Sequence, residues 1–135
     1  MPLGEIIGPV MVGPSSSHTA GAARLGNLAV RCFGKPVRRA EIYLRGSFSE
    51  TAKGHGTDRA IVAGIMGIAP DDIRLKNSFQ IAEEKGVEVS LLSESVDGAH
   101  PNSARFVLHA SDGSSMEITG SSIGGGAVII EEIDG

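Results

Sequence analysis

Tryptophan is absent from this sequence, and tyrosine occurs once. Single-stranded nucleic acid is commonly held by stacking bases on aromatic side chains, so this shortage argues against such a platform. Positive charge is also thin. The net charge is −4 and no basic block occurs, which disfavours nucleic acid or an anionic membrane as a partner. No apolar run approaches the roughly 18 residues that span a bilayer, and the opening Met1-Pro2-Leu3-Gly4-Glu5 lacks a signal-peptide pattern. The single cysteine, Cys32, excludes an internal disulfide framework and suits a reducing compartment, so a cytoplasmic location is expected. Histidines 18, 55, 100 and 109 show no H-x-x-x-H spacing, and Cys32 has no Cys or His at ligand spacing. No metal site is therefore expected within this chain. Dinucleotide-binding and P-loop glycine spacings are missing, as is a G-x-S-x-G elbow.

Glycine, by contrast, is abundant: 19 of 135 residues, about twice the usual share of roughly 7%. The glycines are spread along the chain, so they indicate special backbone angles and close approaches rather than a linker. The length fits a single domain spanning residues 1–135 with a real core.

The stretch Gly13-Pro14-Ser15-Ser16-Ser17-His18-Thr19-Ala20-Gly21 organises the rest. An apolar lead from Ile6 to Val12 runs into it, and an Ala/Leu-patterned helix leaves it. One hydroxyl at such a start caps the helix. The others, with the unpaired N–H groups and the positive end of the dipole, form a receptor for a carboxylate or phosphate. His18 adds a group that titrates near neutral pH. The plainer alternative is a serine-rich cap with nothing bound.

Leu25, Leu28, Ala29, Cys32 and Phe33 share one helical face, and Gly34 with Pro36 ends the helix. Gly21 and Gly26 inside it each cost about 1 kcal/mol against alanine, so they predict a neighbour packed close. Cys32 reads as part of the apolar stripe. Val37 to Arg45 alternates as a strand with an imperfect step near Arg39. Ala60 to Gly67 reads as a buried helix capped by Thr57 or Asp58. Asn77 or Ser78 starts a short helix that ends at Gly86, and Val87 to Leu92 follows as a strand.

Ala99 to Asn102 reads as a loop. Ala104–Ala110 and Ser115–Thr119 form a hairpin through a two-residue Asp112-Gly113 turn, with Phe106 and Leu108 facing Met116 and Ile118. His109 lies on the surface side of its strand. Ser121 to Gly126 reads as a flexible corner, and Ala127 to Ile133 as a central last strand. About five strands, mostly late, and three helices, mostly early, predict an α+β domain. The late strands should leave an exposed edge, which makes a homodimer plausible.

The second candidate site is Lys53-Gly54-His55-Gly56-Thr57-Asp58. Glycines on both sides leave the His55 imidazole unscreened and let backbone approach a ligand. A histidine in a polar turn before a helix is the alternative. If the two helix starts converge, two imidazoles lie over hydroxyls and free N–H groups, which suits holding a small carboxylate and moving a proton. A neutral histidine is an adequate base for a carbon acid only where something stabilises the developing charge, and nothing in this chain obviously does so. A Ser16/His55/Asp58 triad can be written down but lacks the supporting elbow.

The first stretch, followed by Gly46-Ser47-Phe48, Gly54-His55-Gly56-Thr57-Asp58, His100-Pro101-Asn102 and Ser122-Ile123-Gly124-Gly125-Gly126, closely resembles the β chain of bacterial iron–sulfur-dependent L-serine dehydratase. The resemblance covers essentially the whole chain. It implies a component of an L-serine ammonia-lyase, inactive without a separate α chain. It also implies a [4Fe–4S] cluster, held by that α chain, acting as Lewis acid on the hydroxyl of L-serine. By motif, Ser15, Ser16, Ser17, His18, Thr19 and Thr57 would hold serine. His55, with His18, would move the proton, and His100 and Asn102 would belong to an allosteric serine site. The fold also resembles the allosteric substrate-binding domain of some phosphoglycerate dehydrogenases, and a non-catalytic module sensing serine or a related carboxylate is the alternative function. Family β chains often continue into an ACT domain, which this chain is expected to lack, since it stops where one would begin.

Overall fold

The computed structural model describes residues 17–46, 48, 56–68, 78–98, 102–124 and 127–134. In chain order these form α1 (Ser17–Phe33), β1 (Arg39–Gly46), α2 (Thr57–Ile65), α3 (Ser78–Glu84), β2 (Glu88–Glu94), β3 (Asn102–His109), β4 (Ser115–Gly124) and β5 (Ala127–Asp134). The strands make one mixed sheet in the order β2-β1-β3-β4-β5. β2 is parallel to β1, and every other pair is antiparallel. Three helices and five strands among the described residues make this an α+β fold, as the sequence pattern indicates.

The core lies between one face of the sheet and the helices. Ala40, Ile42 and Leu44 of β1, Ala104, Phe106 and Leu108 of β3, Ile118 of β4, and Val128 and Ile130 of β5 meet Leu25, Leu28, Ala29 and Phe33 of α1 and Ile61 of α2. The register pairs Phe106 with Ile118 and Leu108 with Met116, as expected from the alternation. Phe106 is fully buried.

Glycines set the closeness of the helix layer. A Cβ on Gly26 would stand 2.4 Å from the Ile61 carbonyl oxygen, and one on Gly64 would stand 2.0 Å from that of Ala23. The two backbones therefore touch where α1 and α2 cross. Asn27 closes the contact by donating from Nδ2 to the Gly64 carbonyl at 3.3 Å. The glycine expected to admit a neighbour at position 26 admits backbone.

Local signals were overridden in several places. The start of α2 is not capped by Thr57 or Asp58: Gly56, at φ 78°, is the N-cap, and Thr57 is already a buried helical residue. Ser78 likewise begins α3 as a buried residue, and its hydroxyl donates to the Arg59 carbonyl at 2.8 Å, tying α3 to α2. Asn77 lies outside the described residues. Gly86, at φ 74°, ends α3 as predicted.

The β3–β4 connection is not a two-residue turn. Gly113 N–H donates to Ala110 and Ala110 N–H to Ser114, and Gly113 has φ 89°. The loop is therefore three residues, with glycine in the left-handed position of a bulged turn. Residues 121–124 are not a corner but the end of β4, and Gly124 stands opposite Ala127 of β5; Gly125 and Gly126 lie outside the described residues. β5 is not central: it forms one edge of the sheet, and its apolar side chains face the helices. Asn102 is not in a loop either, since it opens β3 opposite Gly46.

Charge runs along the other face. Glu94 accepts from Arg45 Nε at 2.7 Å and from Arg105 Nη2 at 2.7 Å, while Arg105 Nη1 reaches Glu117 at 2.6 Å. The Arg105 guanidinium also stacks 4.0 Å from the Tyr43 ring centre. His109 pairs with Glu41 at 3.0 Å, so it is half-buried and partnered rather than plainly surface. The hydrogen bond from Arg105, more than that from Arg45, lowers the Glu94 pKa. A depressed carboxylate contributes stability above its unfolded pKa and loses it as pH falls through the folded value. Glu94→Gln should therefore cost about 1–2 kcal/mol at pH 7. The deficit should close in strong acid, read by urea unfolding at the two pH values.

Candidate functional site

Two contacts fix how α1 lies over the sheet. A Cβ on Gly21 would meet the Ser122 hydroxyl, and one on Gly120 would meet Leu25 Cδ1. Numbers rise along α1 as they fall along β4, so the two run in opposite directions. The N-terminus of α1 therefore lies over the end of the sheet where β4 finishes. At that same end β1 finishes at Gly46, β3 begins at Asn102, and β5 begins opposite Gly124.

Gly46 stands opposite Asn102, and Ser103 opposite Ser121. One step further along, Gly46, Asn102 and Ser122 fall in a single row across β1, β3 and β4. Neighbouring strands lie about 4.8 Å apart, so the row spans roughly 10 Å. Strand alternation puts all three positions on the helix-facing side, with Ala40, Ile42, Leu44, Ala104 and Phe106. Four separate sequence motifs thus converge on one end of the domain: the start of α1, the end of β1, the start of β3, and the end of β4.

Ser17, His18 and Thr19 form the first turn of α1. That turn carries unpaired backbone N–H groups and the positive end of the dipole. Ser15, Ser16, His55 and His100 lie outside the described residues. Gly56, which follows His55, holds a left-handed conformation at the entrance to α2, and Thr57 is fully buried there. The sheet brings Asn102 to the α1 end.

Sequence reasoning missed the buried hydroxyls near this end. Ser103, Ser121 and Ser122 are all at most 3% exposed. Ser121 donates to Glu131 across the β4–β5 pair. Gly21, an interior helix glycine, was the signal available for Ser122. No group of His, Cys, Asp and Glu among the described residues could hold a metal ion. Cys32 is partly buried against the core stripe of α1, as its spacing predicts. No helix among the described residues is long and apolar enough to cross a membrane.

These features define a class: an α+β domain that gathers a serine- and histidine-bearing helix start and a row of polar strand ends at one edge of its sheet. Residues 7–133 match the family model of the serine dehydratase beta chain, and the chain belongs to that family. It is 47% identical over 132 residues to the L-serine dehydratase, beta chain, of Peptoniphilus asaccharolyticus, covering 97% of this chain and 60% of that protein. It is 48% identical over 131 residues to the probable L-serine dehydratase, beta chain, of Bacillus subtilis (strain 168), covering 97% and 59%. L-serine dehydratase 2 of Escherichia coli (strain K12) is 31% identical over 144 residues, covering 90% of this chain and 32% of that protein. The chain thus spans about three fifths of the two beta chains it matches.

Proposed function

We propose that this chain is the β component of an L-serine dehydratase. With a separate α chain it would convert L-serine to pyruvate and ammonia. The convergence of four motifs at the α1 end of the sheet supports this reading, together with membership of the family. The α1 start would bind the substrate carboxylate through Ser15, Ser16, Ser17, Thr19 and the free N–H groups. Thr57 would help shape the same site from the start of α2. His55 or His18 would take the α-proton, and water would leave from the β-carbon. The resulting enamine tautomerises to an imine, which water hydrolyses to pyruvate and ammonia.

This chain does not fit an iron–sulfur cluster. Such clusters need several cysteine thiolates, and Cys32 is the only cysteine in the sequence. A [4Fe–4S] cluster would have to come from the α chain, where it would supply Lewis acidity toward the substrate hydroxyl. The two beta-chain relatives are named as one chain of a larger enzyme, which supports a partner. An effector held by His100 and Asn102 would sit beside the substrate end, because Asn102 lies in the row under α1.

The test is reconstitution. The chain mixed anaerobically with its α partner, iron and sulfide should release pyruvate from L-serine, and neither chain alone should do so. Pyruvate from this chain unaided would overturn the split-site reading. Tight binding of L-serine to the isolated chain, with no pyruvate from the pair, would favour a regulatory module instead.

A further inference from the structure

We infer that the sheet face opposite α1 and α2 docks the partner α chain, through a basic surface of that chain. The inference rests on the proposed function, which supplies the partner, and deepens it by naming where and by what chemistry the two chains meet.

The core residues of the strands face α1 and α2, so strand alternation assigns the residues between them to the opposite face. β5 contributes more than alternation alone gives. Its register passes from Thr119–Glu132 to Gly120–Ile130 and skips Glu131, which is a bulge. Ile130 and Ile133 stay with the core, and Ser121 bonds to Glu131 on the outer side. Both residues between the two isoleucines therefore turn outward. Glu131, Glu132 and Asp134 are all exposed. Glu41, Glu88, Glu94 and Glu117 share this face with Arg39, Arg45 and Arg105. Seven carboxylates against three guanidinium groups leave −4, which equals the net charge of the whole chain. The charges elsewhere cancel, and the excess is confined to one face.

Arg45 and Arg105 are already engaged by Glu94 and Glu117, and no ion pair among the described residues uses Glu88, Glu132 or Asp134. Two large apolar side chains are also exposed. Leu92, opposite Tyr43 in the register, is 45% exposed, and Ile123, at the site end of β4, is 46% exposed. Apolar contacts framed by charge make up a specific protein interface. The sign of the frame selects the occupant. A second copy presenting the same face would set −4 against −4, and like charge in juxtaposition opposes association. A basic surface is attracted and steered instead. The two beta-chain relatives are named as one chain of a larger enzyme, so the occupant is a separate chain. The position fits as well. Arg45, Ser103 and Ser121 adjoin the row of Gly46, Asn102 and Ser122, so a chain seated on this face reaches round to the α1 end.

The test titrates the α chain into this chain and follows association by sedimentation as well as pyruvate release. Glu132→Lys combined with Asp134→Lys should weaken association about tenfold or more. At saturating α chain, kcat and KM should stay within about twofold, and Tm within about 3 °C, as for exposed positions. Raising salt from about 50 to 500 mM should weaken the wild-type pair and move the double variant far less, because exposed charges are screened. Glu83→Lys combined with Glu84→Lys changes net charge equally from α3 and should leave association within about twofold. Unchanged association in the Glu132/Asp134 variant overturns the inference. An equal loss in the α3 variant also overturns it, because net charge alone would then explain both. Dimerisation of the isolated chain that the Glu132/Asp134 substitutions abolish overturns it too, since a second copy would then hold the face. An active pair whose association ignores these substitutions leaves the proposed function standing. A pair that associates through this face and releases no pyruvate removes the proposed function and leaves the docking face.

Discussion

Gly64→Ala should lower the melting temperature by about 5–10 °C, corresponding to roughly 2–3 kcal/mol for a domain of this size. Alanine is the better helix former by about 1 kcal/mol, so intrinsic propensity alone predicts the opposite sign. Packing decides. The added methyl would stand 2.0 Å from the Ala23 carbonyl oxygen and 2.8 Å from the Asn27 amide nitrogen. Both are backbone atoms of α1 and cannot rotate away, so the helices must separate. Separation would also break the Asn27 hydrogen bond to the Gly64 carbonyl and loosen Leu25 and Leu28 from the core they share with Ile61. Overpacking of this kind costs about 1–3 kcal/mol or more. Gly67→Ala gives the contrast: at φ 79° with nothing within 4 Å of its Cβ position, it should cost about 1 kcal/mol from backbone strain alone. Thermal melts of the two variants read the difference. A Gly64→Ala protein that melts with the wild type would mean that α1 and α2 do not cross there.

Replacing His55 by alanine should lower kcat of the reconstituted pair by 10²-fold or more, with KM changed far less. Loss of a positioned general base costs about 10²–10⁴-fold. Truncation of a residue that only holds substrate weakens binding instead. On the proposed function His55 moves the α-proton, and glycines flank it on both sides in the sequence. His18, in the first turn of α1, is the rival. The pH profile of kcat/KM separates them. The base must be neutral to accept a proton, so the wild-type profile should rise with pH as the histidine loses its proton. The variant that has lost the base should lose that rising limb. Near-normal turnover in His55→Ala would remove it from the reaction and transfer the role to His18.

Much of this architecture was legible in the residues. The α1 stripe of Leu25, Leu28, Ala29 and Phe33 required a helix with one buried face, and Gly34 ended it. The alternation of Phe106 and Leu108 against Met116 and Ile118 required a hairpin in that register. These are local patterns with a single low-energy solution. The errors have a common physical source. Thr57 and Ser78 look like caps because their side chains can bond nearby backbone, but both were needed in the interior, where tertiary contacts use them otherwise. β5 reads as central because it is apolar, yet covering by α1 on one face is enough to bury Val128 and Ile130 in an edge strand.

The candidate site was legible as fragments. Each motif announced itself through residue types that serve poorly as mere structure: hydroxyls in a row, a histidine between glycines, polar residues beside a proline. The sequence by itself determined which groups are available: hydroxyls, imidazoles and free helix N–H groups, and too few thiolates to hold a cluster. Only the tertiary structure decided which of them meet. Strand register and the direction of α1 over β4 depend on contacts a hundred residues apart, such as Gly21 against Ser122. No local preference encodes those, because they follow from how the whole core closes.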